Sequence, residues 1–228
     1  MYVETAPYDI REMFSSLAKR YDFANHFLSC GLDIIWRKNV AKMVYLWNAK
    51  RILDLATGSG ALAKILQATC PQAKVIGMDV CQAMLLQAKR KGVSTLIYGD
   101  GTCMPFCSGV FDVITISFGL RNIGNCSKVV QEMARILSHG GGLFILDFSL
   151  PKGQWIRSIY QIYLHHLLPT VAAWITGQRE AYRYLGASIE HFSRDQSLMY
   201  LLEKNGFRKV TIQTFCLGIV ILYVLQKH

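Results

Sequence analysis

From Arg51 onward the chain alternates short apolar runs with longer stretches of helical period. The runs RILDL (51–55), KVIGMD (74–79), TLIYGD (95–100), DVITIS (112–117) and GGLFILDF (141–148) are rich in Ile, Val and Leu. Near-continuous apolar runs of this length mark strands buried on both faces, which is how a parallel sheet covered by helices is written. Helical segments are predicted between them, at 61–68, 81–91 and 127–137. The alternation predicts a doubly wound α/β fold, with ligands at the carboxyl ends of the strands. Towards the end, KVTIQTF and GIVILYVLQ are separated only by Cys216 and Leu217. That gap has no room for a crossover helix, so the two runs are expected to pair as an antiparallel hairpin. Residues 1–50 read as a helical cap, with helices over MFSSLAKRY and IIWRKNVAKMVYLW, and 152–192 as a helical insertion. Both are expected to cover the ligand end of a single domain spanning 1–228, a length one core can serve.

The loop after the first run carries the first candidate chemistry. Asp54-Leu55-Ala56-Thr57-Gly58-Ser59-Gly60 follows a strand and opens a helix, so its glycines allow a tight turn and close approach of backbone to ligand. Gly58, Gly60 and Ala63 satisfy the looser G-x-G-x-x-G/A spacing, which suits a dinucleotide equally well. Asp79 ends the second run, 25 residues after Asp54, where a carboxylate accepts both hydroxyls of a ribose. Asp100-Gly101 ends the third; an acid there suits the amino group of an adenine, although an Asp-Gly pair is equally a turn. Three acids at the same end of successive strands, with a closing hairpin in place of a further crossover unit, resemble the class I S-adenosylmethionine methyltransferases more than dehydrogenases.

Charge and composition narrow the partners. The formal charge is +10, and nine Lys/Arg against four acids follow Pro151, in the part that also holds the longest uncharged run, Ser158 to Gln178. Basic plus apolar character points to a lipid surface more than to a nucleic-acid groove, since no stripe of interleaved aromatic and basic residues is present. Gln161, His165, His166 and Pro169 interrupt the run, so it is expected to be buried or interfacial rather than spanning. The seven cysteines include no C-x-x-C pair, so neither a disulfide framework nor a metal site is expected. The opening MYVETAPYDIREMF lacks a basic-then-apolar signal, which predicts a cytoplasmic chain, peripheral at most to the membrane's inner face. Self-association, for instance as a homodimer, is left open.

Longer segments carry a more specific resemblance. MFSSLAKRYDFANHFLSCG, MDVCQAML, ISFGLRN (116–122), ARILSHGG, DFS (147–149) and YRYLGASI (182–189) resemble the C-methyltransferase family of menaquinone and ubiquinone biosynthesis, from about Met13 to Val220. The resemblance implies S-adenosyl-L-methionine as cofactor, contacts from Ser59, Asp79, Asp100, Gly101 and Ser117, and methyl transfer to a ring carbon of a prenylated quinol: 2-demethylmenaquinol to menaquinol, with a benzoquinol as further acceptor. Where that family usually reads G-G-T-G-D, this chain has Thr57-Gly58-Ser59-Gly60-Ala61, without the closing acid. Its Glu-Phe-Ser is Asp147-Phe148-Ser149 here.

Methylating a ring carbon requires a phenolate that pushes charge onto it. Arg121 is the candidate for holding that phenolate and Asn122 for orienting it; a guanidinium is too basic to be the free base itself. Asp147 takes the proton if apolar neighbours raise its pKa, or is structural. Tyr21, Asp22 and Asn25 form a polar cluster over the cofactor or cap helices, and Tyr182, Arg183 and Tyr184 line the quinone pocket or pack. His165 and His166 read as packed or interfacial. The competing readings are a methyltransferase for another lipidic or small acceptor, a dehydrogenase, and a nucleotide-binding module without chemistry.

Overall fold

A computed structural model describes residues 10–18, 20–194 and 197–228. Seven strands form one sheet: β1 (Arg51–Leu55), β2 (Lys74–Asp79), β3 (Leu96–Tyr98), β4 (Phe111–Ser117), β5 (Leu137–Phe148), β6 (Phe207–Phe215) and β7 (Val220–Lys227). Their order is β3-β2-β1-β4-β5-β7-β6, with β1 to β5 parallel and β7 antiparallel to both neighbours. This is the doubly wound sheet with a closing hairpin that the apolar pattern predicts.

Alternate strand residues serve two cores. Ile52, Val113 and Phe144 meet Val40, Ala41 and Val44 of α3 (Leu32–Leu46) and Leu62 and Leu66 of α4 (Ala61–Thr69). On the other face Leu53, Leu55, Ile114 and Ile116 meet Val129 and Met133 of α6 (Cys126–Ile136) and Leu202 of α10 (Ser197–Lys204). Burial on both faces is why these strands read as continuous apolar runs. Between β2 and β3 runs α5 (Gln82–Arg90).

Three predicted elements come out differently. β5 begins at Leu137, four residues early, because the register jumps from Phe111↔Leu137 to Val113↔Gly142 and the intervening Ser-His-Gly-Gly bulges. β3 stops at Tyr98, where Gly99 N–H donates to Asp79 O at 3.0 Å and the chain turns away. The helix expected over 13–21 is two, α1 (Ile10–Leu17) and α2 (Tyr21–Leu28), joined by a turn in which Arg20 N–H donates to Leu17 O.

The insertion is α7 (Gln154–Ile162), a π-helical turn (Tyr163–Leu167), α8 (Leu168–Thr176) and α9 (Arg179–Arg194). Leu17 and Ala24 of the cap bury against Tyr160, Leu164, Leu168, Ala172 and Ile189 of the insertion, so a third core stands over the carboxyl ends of the strands. No helix among the described residues is long and apolar enough to cross a membrane.

Candidate active site

β1 delivers Asp54 to the floor of the glycine loop. It is 1% exposed, and its two carboxylate oxygens accept the hydroxyls of Thr57 and Thr115 at 2.7 Å each. Burial pushes its pKa up to about 6, outweighing those hydrogen bonds. Above it Ala56 (φ 51), Gly58 (φ 56) and Gly60 (φ 76) are all left-handed. A Cβ at Gly60 would lie 2.7 and 2.8 Å from the Val93 and Ala88 side chains, whereas one at Gly58 would meet nothing within 4 Å. Gly60 thus lets α4 seat closely, and Gly58 leaves backbone bare to the cleft. Asp54 lies beneath the loop and Gly60 sits against Ala88 and Val93, so neither of these two expected cofactor contacts lines the cleft.

That cleft, about 110 Å³, is lined by Gly58, Ser59, Asp79 and Ser117 among others. Asp79 Oδ2 accepts Gly58 N–H and Oδ1 accepts Cys81 N–H, both at 2.8 Å, and with Val80 N–H as a further donor the carboxylate still keeps acceptor capacity for a ligand hydroxyl. Burial raises its pKa despite these bonds. Ser59 Oγ donates to Asp22 Oδ1 at 2.5 Å, and Lys91 both donates to Ser59 and ion-pairs with Asp22. This clasp ties α2 to the loop; Asp22 stands in the first turn of α2, whose N-cap is Arg20 and where no side chain makes a cap hydrogen bond. Asp100 and Gly101 do not line the cleft. Asp100 Oδ1 accepts Thr102 N–H and Oγ1–H at 2.8 Å each, the turn reading of Asp-Gly, and these bonds lower its pKa. Its Oδ2 lies 3.8 Å from Arg11, which does line the cleft.

A second cavity of about 450 Å³ opens beside the first, walled by Trp36, Phe118, Phe148, Tyr160, Leu164 and Leu185 among others. The two meet at Phe14, Tyr21, Arg37, Phe118 and Asn122, which line both. After β4, Phe118 takes a left-handed turn (φ 56) into a single 3₁₀ turn, Leu120–Asn122. The turn points Arg121 into the larger chamber's wall, where Nη1 donates to Asp147 Oδ1 at 2.5 Å and Phe118 O at 2.8 Å, with the guanidinium 5.3 Å above the Phe148 ring. Arg121 Nε and Asp147 Oδ2 are buried without a hydrogen-bond partner. Asp147 itself is behind Arg121, not on the chamber wall. Asn122 Oδ1 accepts the Tyr184 hydroxyl at 3.4 Å.

Asn25, Tyr182 and Tyr184 line the chamber, Tyr182 with a buried hydroxyl that lacks a partner. Burial raises the pKa of Tyr160 and Tyr182, and pushes Tyr163 up to about 12. His165, His166 and Arg183 are outside it; His165 pairs with Glu190 and Arg183 with Glu180 on the surface. Sequence reasoning missed Arg37 and Lys91. For Arg37 a signal was present: Arg37, Ala41 and Val44 fall on one buried stripe of α3, and a basic residue on such a stripe is out of place unless it has work to do.

Residues 3–227 match the family described as the ubiE/COQ5 methyltransferase family. The chain belongs to it. A demethylmenaquinone methyltransferase of Thermus thermophilus is 36% identical over 217 residues, 93% of this chain and 98% of that one. The ubiquinone/menaquinone biosynthesis C-methyltransferase UbiE of Geobacter sulfurreducens is 34% identical over 226 residues, 96% and 88% of the two chains. In fold the protein is similar to a SAM-dependent methyltransferase of Thermotoga maritima, with TM-score 0.67 at 17% identity over 95% of this chain and 99% of the other. The class I methyltransferase architecture expected from the strand pattern is therefore the one present, and S-adenosylmethionine is this methyltransferase's methyl donor. The dehydrogenase and binding-module readings fall away with it.

Proposed function

We propose that this methyltransferase acts on a ring carbon of a prenylated hydroquinone, converting 2-demethylmenaquinol to menaquinol, with a benzoquinol as a second acceptor. The observation that carries the reading is the joining of a small polar cleft to a large apolar chamber, with a buried arginine on the chamber wall. The names of the relatives support the choice of ring: one carries demethylmenaquinone, another both ubiquinone and menaquinone. The cap and the insertion enclose the acceptor.

The cleft fits the donor. Gly58 presents bare backbone, Asp79 keeps acceptor capacity for ribose hydroxyls, and Ser59 and Ser117 stand on the same walls. Asp100 and Gly101 would serve at one remove, by setting Arg11 at the rim. S-adenosylmethionine, when bound, supplies an electrophilic methyl group. The chain's own residues then have three tasks: to exclude water, to hold the acceptor ring flat where the two cavities meet, and to stabilise the phenolate. Phe118 and Phe148, their ring centroids 4.6 Å apart and their planes tilted by 37°, pack together as an apolar part of the chamber wall. Arg121 lies beside them on the chamber wall, and its guanidinium is the donor we assign to the phenolate oxygen. Asp147 fixes Arg121 in place and is a positioning residue rather than a wall of the pocket.

Removing Arg121 alone strands a buried carboxylate, so the paired variant Arg121→Gln with Asp147→Asn is the cleaner test. Turnover of demethylmenaquinol is expected to fall about 100-fold, while affinity for S-adenosylhomocysteine stays within about threefold. A parallel loss of both would remove Arg121 from the acceptor side, and absence of labelled product from the unmodified enzyme would remove the quinol.

The same reading places the protein at the membrane's cytoplasmic face, because a prenyl tail resides in lipid. Trp155, Ile159 and Ile162 of α7 and Trp174 of α8, all exposed, are the residues we assign to that contact.

A further inference from the structure

Arg37 repeats the arrangement of Arg121 on the neighbouring phenyl ring. Its Nη1 donates to a carboxylate, Asp33 Oδ2, at 2.5 Å and to a backbone carbonyl, Asp33 O, at 3.2 Å. Its guanidinium stands 5.3 Å over the Phe118 ring, as that of Arg121 stands 5.3 Å over Phe148. Its side chain is 8% exposed, and Nε is buried without a partner. A buried N–H left unpaired is costly, and the two arginines that each carry such a group line the same chamber, Arg37 lining the cleft as well. Asp33 is itself fully engaged, since its Oδ1 also accepts Ser29 Oγ–H at 3.2 Å and lies 3.0 Å from His26 Nδ1. That network fixes the arginine rather than leaving it free to swing.

We propose that Arg37 is a second oxygen-binding residue, whose guanidinium donates to the hydroquinone oxygen that Arg121 does not hold. The inference rests on the quinol reading above. A 1,4-hydroquinone carries its oxygens at opposite ends of a flat ring, and the chamber that would hold it is lined by two arginines, one with its guanidinium over Phe118 and one over Phe148. Arg121 takes the oxygen next to the reacting carbon, whose charge drives the attack; Arg37 takes the remote one and sets the ring's orientation. With each guanidinium already paired to a carboxylate, neither adds net repulsion towards a sulfonium in the adjoining cleft.

The test uses Arg37→Lys, which keeps a cation beside Asp33 but lacks the forked guanidinium donors. Two acceptors are compared in detergent: short-tailed demethylmenaquinol, and the corresponding naphthol that retains only the hydroxyl next to the reacting carbon. The variant is expected to raise KM for the quinol about tenfold, to leave KM for the naphthol unchanged, and to leave calorimetric affinity for S-adenosylhomocysteine within twofold. Equal effects on both acceptors, or no effect on either, overturn the proposal. A tenfold loss of S-adenosylhomocysteine affinity overturns it too and gives Arg37 to the carboxylate of the donor. If the unmodified enzyme methylates neither ring, the quinol reading fails and the proposal fails with it.

Discussion

Asp54 is held in a place that disfavours its charge. Its folded pKa of about 6 is above the 3.8 of a free carboxyl, so between those values the folded chain keeps a proton that the unfolded chain has released. Stability from this group is complete below about pH 3.8 and declines as pH rises to about 6, by about 3 kcal/mol at 1.36 kcal/mol per unit. Asp54→Asn keeps an acceptor for one threonine and offers a donor to the other, whose hydroxyl can rotate. Urea unfolding at pH 4 and pH 7 should show the variant gaining on the parent by about that amount at the higher pH. An unchanged difference would mean that Asp54 ionises in the fold as it does in water. The same residue shows where sequence reading stops: an acid at the end of β1 is legible as important, but whether it faces the ligand or the floor depends on Thr57 and Thr115, one of them 61 residues away. Asp100 is a related case: an acid after β3 is legible as a candidate, but its turn with Thr102 and its distance from the cleft wall are set by the fold.

At the scale of elements, α2 is tied to the glycine loop by Asp22, Ser59 and Lys91. The family's closing acid is Ala61 here, and the clasp brings a carboxylate to the loop from another helix. Asp22 and Lys91 are more than a third exposed, so the pair adds little to global stability. Its effect should be on ligand retention. Asp22→Asn is expected to weaken S-adenosylhomocysteine binding about five- to tenfold and to leave the unfolding midpoint nearly unmoved; matching falls in both would show a merely structural tie. The strands and the hairpin were legible because burial on two faces leaves an unbroken apolar record. The division of the cap into α1 and α2 was not, because a single turn at Ala18 and Arg20 leaves the helical period intact on either side. Nor was the extra length of β5, since Ser-His-Gly-Gly carries no apolar period to read.

Across the whole molecule, part of the exposed apolar surface lies on the helices that wall the chamber. Trp155, Ile159 and Ile162 follow one face of α7; Trp155 is 88% and Trp174 94% exposed. On α2, which packs against α8, Phe23 and Phe27 stack in the open with centroids 6.3 Å apart. Exposed tryptophans beside a basic carboxyl-terminal half are the make-up of an interfacial anchor. Trp155→Ser with Trp174→Ser should reduce partition onto vesicles containing one-third anionic lipid at least tenfold, with turnover of a short-tailed quinol preserved. Sedimentation with vesicles decides it, and undiminished partition would move the contact elsewhere. A different consequence comes from the sheet order. β6 precedes β7 in the chain but lies outside it, at the sheet's margin. During synthesis, then, β6 emerges with no neighbour to join, and β5 waits with one edge bare. Only when residues 220–227 arrive can both be satisfied, so assembly of this side of the sheet runs against the direction of translation.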